Sequence, residues 1–360
     1  MPIPSPTWLR RLERLAEVLM IALTAFWTYW GAFEMYHEGW WGAWTYRLPY
    51  LAPIALTLGP NLLAFRWPRL GGALIAAVGL FAILMFHNAV AVIGLAVVLL
   101  GLVFVAAGRA RAAADASAAP VPATGWHRRG RYALALGLPA LIFLIASAMR
   151  LPVVLSRVDD GNRGARRIEG EDLALIWAPA GPGWSWLQDW GGYPAWQDLA
   201  LYGFPPVGLV DKPGYDPPAG SDAPKGYATD ADMARYQLCH YLDAEGLQLL
   251  DAPQGIWRMP TVDELARSLV RHGQTAGCRW QGELREPMDC RVEPDKESPL
   301  WATDQPAIYY WAAESYVRRD DFGEVIDTQR AYYVSFNGVV NVASKRGGNP
   351  RNGYRCVREP

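Results

Sequence analysis

The chain has 360 residues, a formal net charge of −1 and four cysteines. A length of that order predicts about two domains, and the near-zero charge removes the basic footprint that nucleic-acid binding requires. The average conceals a division: long apolar runs fill residues 1–150, and most charged residues lie beyond them.

A membrane-spanning helix takes roughly 20 apolar residues, because only a helix satisfies its own backbone in hydrocarbon. Five runs fit, at about residues 15–33, 48–65, 71–86, 88–107 and 132–149. Pro49, Pro53 and Pro60 predict kinks in the second, and Phe86-His87-Asn88 is the break between the third and fourth. A cleaved signal peptide is the competing reading of the first run. No small-residue cleavage site follows that run, and further spans come after it. Residues 1–150 are therefore expected to form an all-α transmembrane bundle.

Lysine and arginine placement orients the spans. Arg10, Arg11 and Arg14 precede the first, placing the N-terminus in the cytoplasm. The loop 34–47 holds only Arg47 and is rich in aromatics, among them Tyr36, Trp40, Trp41, Trp44 and Tyr46, as an outer interface would be. Arg66 and Arg69, then Arg109, Arg111, Arg128, Arg129 and Arg131, return to the cytoplasm, the latter group in an Ala/Pro-rich segment, 108–131, read as a disordered linker. An odd number of spans puts everything after residue 150 outside. Arg150, Arg157, Arg163, Arg166 and Arg167 crowd the end of the fifth span and argue the other way, so the orientation rests on the earlier spans and the cysteines. Ionisable groups are almost absent from the spans, which argues against a transporter or proton pump. His37 and His87 fall at turns rather than at matching mid-span depths, so they read as turn residues and not as haem ligands.

Residues 151–170 read as a linker, and a globular α+β domain is expected over 171–360. Leu173, Leu175 and Trp177 alternate as in a strand. Residues 181–227 are dense in Gly, Pro and Trp and read as loop. Thr229 and Asp230 open a helix running to about Asp243. Thr261-Val262-Asp263-Glu264 is a capping box opening another, to about His272. Tyr332, Val334 and Phe336 alternate before Asn337-Gly338, a type I′ hairpin signal. Val339 to Val342 returns, and Gly353 to Val357 forms a final strand.

The cysteines are Cys239, Cys278, Cys290 and Cys356, which allow three pairings. Cys278 and Cys290 flank a short loop and are the easiest local pair. That leaves Cys239 for Cys356. Closing the short loop is worth about 3 kcal/mol and the long one about 4.7 kcal/mol in loop-closure entropy. Disulfides in a loop-rich domain imply an oxidising compartment, which favours the outward side of the cytoplasmic membrane. A Cys₄ zinc site is disfavoured because no C-x₂-C pair exists.

The segments IWRMPTVDEL (256–265), YQLCHYLDAEG (236–246), PDKESPLW (294–301), YYW (309–311) and GYRCVR (353–358) resemble the formylglycine-generating-enzyme/sulfatase-modifying-factor superfamily, in particular its bacterial membrane-associated branch of uncharacterised role. The resemblance covers about residues 171–360 and implies a C-type-lectin-like fold, in which a disulfide commonly joins the first helix to the last strand. It also tests the family's chemistry. The oxidase holds Cu(I) with two soft thiolates five residues apart. Cys356 matches the second, but Arg351 stands where the first would be. The iron-dependent sulfoxide synthases use a His-rich partner domain, and the five scattered histidines here supply none.

Two further constellations bear on binding. Glu293, Asp295 and nearby Glu297 offer hard oxygen ligands of the kind that hold Ca²⁺, with solvated loop acids as the plainer reading. Trp184, Trp186, Trp190 and Trp196 either line a sugar or peptide groove or fill a core. Arg258 and Glu264 read as structural. The sequence thus points to a membrane-anchored, non-catalytic recognition or assembly protein. Gly71, Gly72, Gly79, Gly94 and Gly101 would let helices approach partner subunits or one another closely. An extracytoplasmic oxidoreductase-type enzyme using Cys356, or a ligand-binding receptor, are the alternatives.

Overall fold

The computed structural model describes residues 7–40, 44–85, 89–115, 125–179, 195–203, 227–305, 307–320, 322–347 and 351–360. The chain divides into two compact units, Met1–Leu155 and Ser156–Pro360.

The first unit is five helices: α1 Thr7–His37, α2 Leu48–Arg66, α3 Pro68–Met85, α4 Ala89–Asp115 and α5 Gly125–Leu155. Four are long and apolar enough to cross a membrane, and α3 is a shorter apolar helix. Helices α1, α4 and α5 outrun the expected spans. The segment expected as a disordered linker is helical over 108–115, where alanines favour it, and over 125–131, which continues into α5. Helices consecutive in the chain alternate in direction, so α1 and α5 lie side by side in parallel. At one end of the bundle Glu13 of α1 pairs with Arg111 of α4, and Glu17 meets Arg131 of α5 at 2.7 Å. At the other end Tyr36 of α1 donates to Ser147 of α5 at 2.9 Å.

The glycines do their work inside the unit. A Cβ on Gly72 would lie 2.6 Å from Gly101 O, and one on Gly79 would lie 2.6 Å from Gly94 O. These two pairs bring α3 and α4 to backbone contact along an antiparallel hairpin. A Cβ on Gly71 would strike the backbone of Ala64 in α2. Small residues substitute here for the hydrophobic force that lipid does not provide.

The second unit begins where a linker was expected. Arg157 and Asp295 are both buried and bonded at 2.7 Å, and Asp160 pairs with Arg166 at 2.7 Å. Strands β1 Arg166–Gly170 and β2 Leu173–Trp177 form an antiparallel hairpin, and β11 Val357–Arg358 pairs with β2. Short helices α6 Trp196–Ala200, α7 Asp230–Tyr236 and α8 Val262–Arg267 follow in sequence. Two-residue strands come next: β3 Val270–Arg271 with β4 Gln274–Thr275, and β5 Cys278–Arg279 with β6 Asp289–Cys290. The larger sheet has the order β10-β7-β8-β9, from β7 Tyr309–Arg319, β8 Val325–Ser335, β9 Val340–Ser344 and β10 Asn352–Gly353. Its core contact is with Trp196, Trp257, Met259, Leu238, Leu242, Tyr354 and Trp311, all buried.

Several expected boundaries are corrected. Helix α7 stops at Tyr236 because the Gln237 side chain turns to accept Met259 N at 2.5 Å, and a 3₁₀ turn over Leu238–Tyr241 continues. Helix α8 keeps its capping box, with Glu264 N on Thr261 Oγ1 at 3.2 Å, but ends at Arg267. The chain then reverses at His272 and Gly273, both at positive φ. The Asn337-Gly338 turn has positive φ only at Gly338 and closes Ser335 on Val339 as a three-residue loop, not as type I′. The terminal strand is two strands in different sheets, β10 parallel to β7 and β11 antiparallel to β2.

Candidate functional site

The four cysteines form two disulfides, Cys239–Cys356 and Cys278–Cys290, at sequence separations of 117 and 12. Cys239 lies on the 3₁₀ turn after α7, and Cys356 immediately precedes β11. Both are fully buried in the core. Cys278 and Cys290 face each other as register partners of β5 and β6. Cys356 therefore presents neither a thiolate for Cu(I) nor a nucleophile. Arg351 offers no replacement, because a guanidinium carries no acceptor.

The acidic loop does not assemble a calcium site. Glu293 is exposed, whereas Asp295 and Glu297 are 4% and 0% exposed. Arg157 grips both oxygens of Asp295, at 2.7 and 2.8 Å, and Arg271 reaches Asp295 at 2.9 Å and Glu297 at 3.2 Å. Two guanidiniums take both oxygens of Asp295 and one of Glu297, while Glu297 Oε2 stays buried and unbonded. Among the described residues, no group of three His, Cys, Asp or Glu side chains is placed to hold a metal. Lys296, wholly buried, donates to Gln305 O, and its ammonium is driven well below the ordinary lysine range by burial and then by Arg157 and Arg351. Arg355 donates to Ala178 O at 2.6 Å and to the carbonyls of Pro299 and Leu300, with burial pulling it down to about 10. These buried side chains brace loops from within.

Trp196 is core, not groove: it is fully buried and donates Nε1 to Ala312 O at 2.8 Å, with the Lys345 ammonium 4.8 Å above its ring. Trp184, Trp186 and Trp190 lie outside the described residues, as does His87. Arg258 grips Glu264 through two hydrogen bonds at 2.6 and 2.8 Å and also reaches Glu359. Burial works to raise Glu264, but those bonds outweigh it and hold the carboxylate below its ordinary value. The pair fastens the start of α8 near the C-terminus.

The feature that looks outward is one that the sequence reading passed over. The base of the β7–β8 hairpin is held by the helices: Ala313 N donates to Pro260 O at 2.7 Å, Val262 N to Glu314 at 3.0 Å, and Ser315 N to Asp230 Oδ1 at 2.7 Å. Burial raises the Glu314 carboxyl. On the other side, β9 pairs with β8 only over Arg330–Val334. Beyond these anchors, among the described residues, no strand flanks 316–328, so a two-stranded arm projects by about four residues, or ~13 Å.

The arm's turn is built tightly. Asp320 Oδ1 accepts Phe322 N at 2.9 Å and Glu324 N at 2.8 Å, Asp320 N donates to Glu324 O at 2.9 Å, and Arg319 donates to Gly323 O at 2.9 Å. Gly323 supplies the positive φ. On this fixed turn Phe322 is 93% exposed, with Val317, Val325 and Ile326 at 41, 49 and 53%. Three register irregularities along β7 twist the arm and blunt its free edges against indiscriminate strand pairing. An ordered turn that displays an aromatic ring meets a partner at small entropic cost. The signal available in the sequence was the Asp-x-x-Gly turn in RRDDFGEVI, with apolar residues that no periodicity assigns to a core.

No protein-family model, curated protein or solved structure matches this chain.

Proposed function

We propose that this chain is a membrane-anchored, non-catalytic recognition or assembly protein. Its helical unit holds residues 156–360 at the outer face of the cytoplasmic membrane, and the exposed tip of the β7–β8 arm engages a partner subunit. The observation that carries the reading is the pre-organised turn presenting Phe322. A few residues near the centre of an interface carry most of its energy, and Phe322 is joined on the arm by exposed Val317, Val325 and Ile326, the grouped apolar exposure that marks interaction sites.

Other observations support the same account. The two disulfides fit an oxidising compartment. Helix α3 packs antiparallel against α4, which supports counting it as a fifth span beside the four longer helices. Pairing of the unit's first strands with β11, and the Cys239–Cys356 link from the helical segment to the chain end, agree with a C-type-lectin-like fold of the formylglycine-generating-enzyme type. The enzyme alternative loses its reactive group, because Cys356 is buried in a disulfide.

The test is photocrosslinking in native membranes with benzoylphenylalanine at Phe322, and at exposed Leu247 as the control. A discrete protein adduct from 322 alone, whose crosslinked peptide is apolar, is expected. No adduct, or equal adducts from both positions, sinks the recognition reading. Ready thiol labelling of Cys356 in native protein, with tight copper binding, would favour the enzyme.

A further inference from the structure

The chain passes from α2 into α3 on one residue. Trp67 N donates to Leu63 O at 2.6 Å, closing α2, and Gly71 N donates to Trp67 O at 2.9 Å, opening α3. Arg66 ends the one helix, and Arg69 stands in the first turn of the other. Gly108 of α4 packs beside them. It is buried, and a Cβ there would lie 2.9 Å from Arg69 Cγ. The bare glycine lets the Arg69 stem lie against α4, where its Nε donates to Gly108 O at 3.2 Å. A recess of about 470 Å³ opens at this corner, lined by Arg66, Trp67, Pro68, Arg69, Leu70 and Gly108.

The lining decides the charge of the occupant. Both guanidiniums belong to exposed residues, and among the described residues no carboxylate pairs with either. The glutamates at this end of the bundle are already committed, Glu13 to Arg111 and Glu17 to Arg131. The Arg69 bond uses Nε and leaves both terminal nitrogens to donate. Two unpaired guanidiniums, planar and always charged, match the oxygens of a phosphate. The apolar part of the lining narrows the source. Trp67 and Leu70 are 54 and 53% exposed beside the charges. A free phosphate ion gains nothing from them. A phospholipid does, because its glycerol and upper acyl carbons cover the indole and the leucine while its phosphate meets the arginines. The position agrees. The stretch of α2 long and apolar enough to cross a membrane ends at Arg66, which puts the corner at the depth of lipid headgroups. Basic pockets between spanning helices bind headgroups in this way.

We propose that the corner between α2 and α3 binds the phosphate of one anionic phospholipid through Arg66 and Arg69. The proposal needs the helical unit to lie in a membrane, and nothing of the arm or its partner. The experiment is native mass spectrometry of the full chain in mild detergent, titrated with equal amounts of phosphatidylglycerol and phosphatidylcholine. One phosphatidylglycerol is expected to bind in preference to phosphatidylcholine. Arg66→Gln/Arg69→Gln is expected to lower its affinity roughly 30-fold, the worth of two arginines at a charged surface. Arg66→Gln alone, which removes no hydrogen bond among the described residues, is expected to lower it roughly fivefold. Arg10→Gln/Arg11→Gln removes the same charge from exposed positions of α1 outside the recess and is expected to keep most of the affinity. Equal binding of the two lipids, or no loss in Arg66→Gln, overturns the proposal. An equal loss in the α1 control overturns it too, by reducing the site to a general positive surface. Displacement of the lipid by millimolar inorganic phosphate overturns it by assigning the recess to a free anion.

Discussion

The two disulfides differ in the loops they close, and that difference fixes an order of stability. At the Cys239–Cys356 separation of 117, loop-closure entropy gives about 4.9 kcal/mol at 25 °C. At the Cys278–Cys290 separation of 12, it gives about 2.8 kcal/mol. Replacing each pair by alanines leaves little packing to lose, since alanine nearly fills the cysteine's place, so the entropic term dominates. Loss of the long-range link should therefore destabilise residues 156–360 by about 2 kcal/mol more than loss of the local one, roughly 30-fold in the folding constant. Against a typical total of about 5–15 kcal/mol, the first loss is a third or more of the whole. The assay is denaturant unfolding of the full chain in detergent, followed by tryptophan fluorescence and by limited proteolysis of the second unit. Cys239→Ala/Cys356→Ala should unfold at the lower midpoint. Equal midpoints, or the reverse order, would refute the claim that chain closure rather than local strand pairing stabilises this unit.

Further outcomes follow from individual contacts. Gly79→Leu must displace the α4 backbone at Gly94 and should lower the thermal stability of the helical unit, whereas Gly137→Ala, with open space about its Cβ, should leave it unchanged or raise it slightly, as light-scattering melts in detergent will show. Burial holds the Glu314 carboxyl above its ordinary value. The folded state therefore binds that proton more tightly than the unfolded chain, and stability rises as pH falls through the folded pKa towards the unfolded value near 4.5, levelling below it. Glu314→Gln, which still accepts from Val262 N, should be the more stable form at neutral pH and should lose this slope in unfolding titrations. Phe322→Ser should change folding stability by less than about 0.5 kcal/mol while weakening partner capture by about 2 kcal/mol, the worth of burying the ring, as measured by co-purification from crosslinked membranes.

The parts legible in the sequence were those with local causes. Apolar run length marks the helices, and Thr261 with Glu264 marks the start of α8. What escaped depends on distant residues. Asp295 and Glu297 look like loop acids until Arg157 and Arg271, 138 and 24 residues from Asp295, close over them. Trp196 could be read as groove or, more readily, as core, and its indole N–H on Ala312 O places it in the core. The arm was missed because Phe322, Val325 and Ile326 face no core, so no burial periodicity marks them. The ends of α7 and the split between β10 and β11 follow from long-range bonds made by Gln237 and Cys356, which local propensity does not encode.

The proposed function requires residues 156–360 to lie across the membrane from the N-terminus. Protease added to sealed right-side-out vesicles should digest that unit once its disulfides are reduced, and should leave it intact in sealed inverted vesicles. Digestion in inverted vesicles alone would place the unit in the cytoplasm and contradict the account.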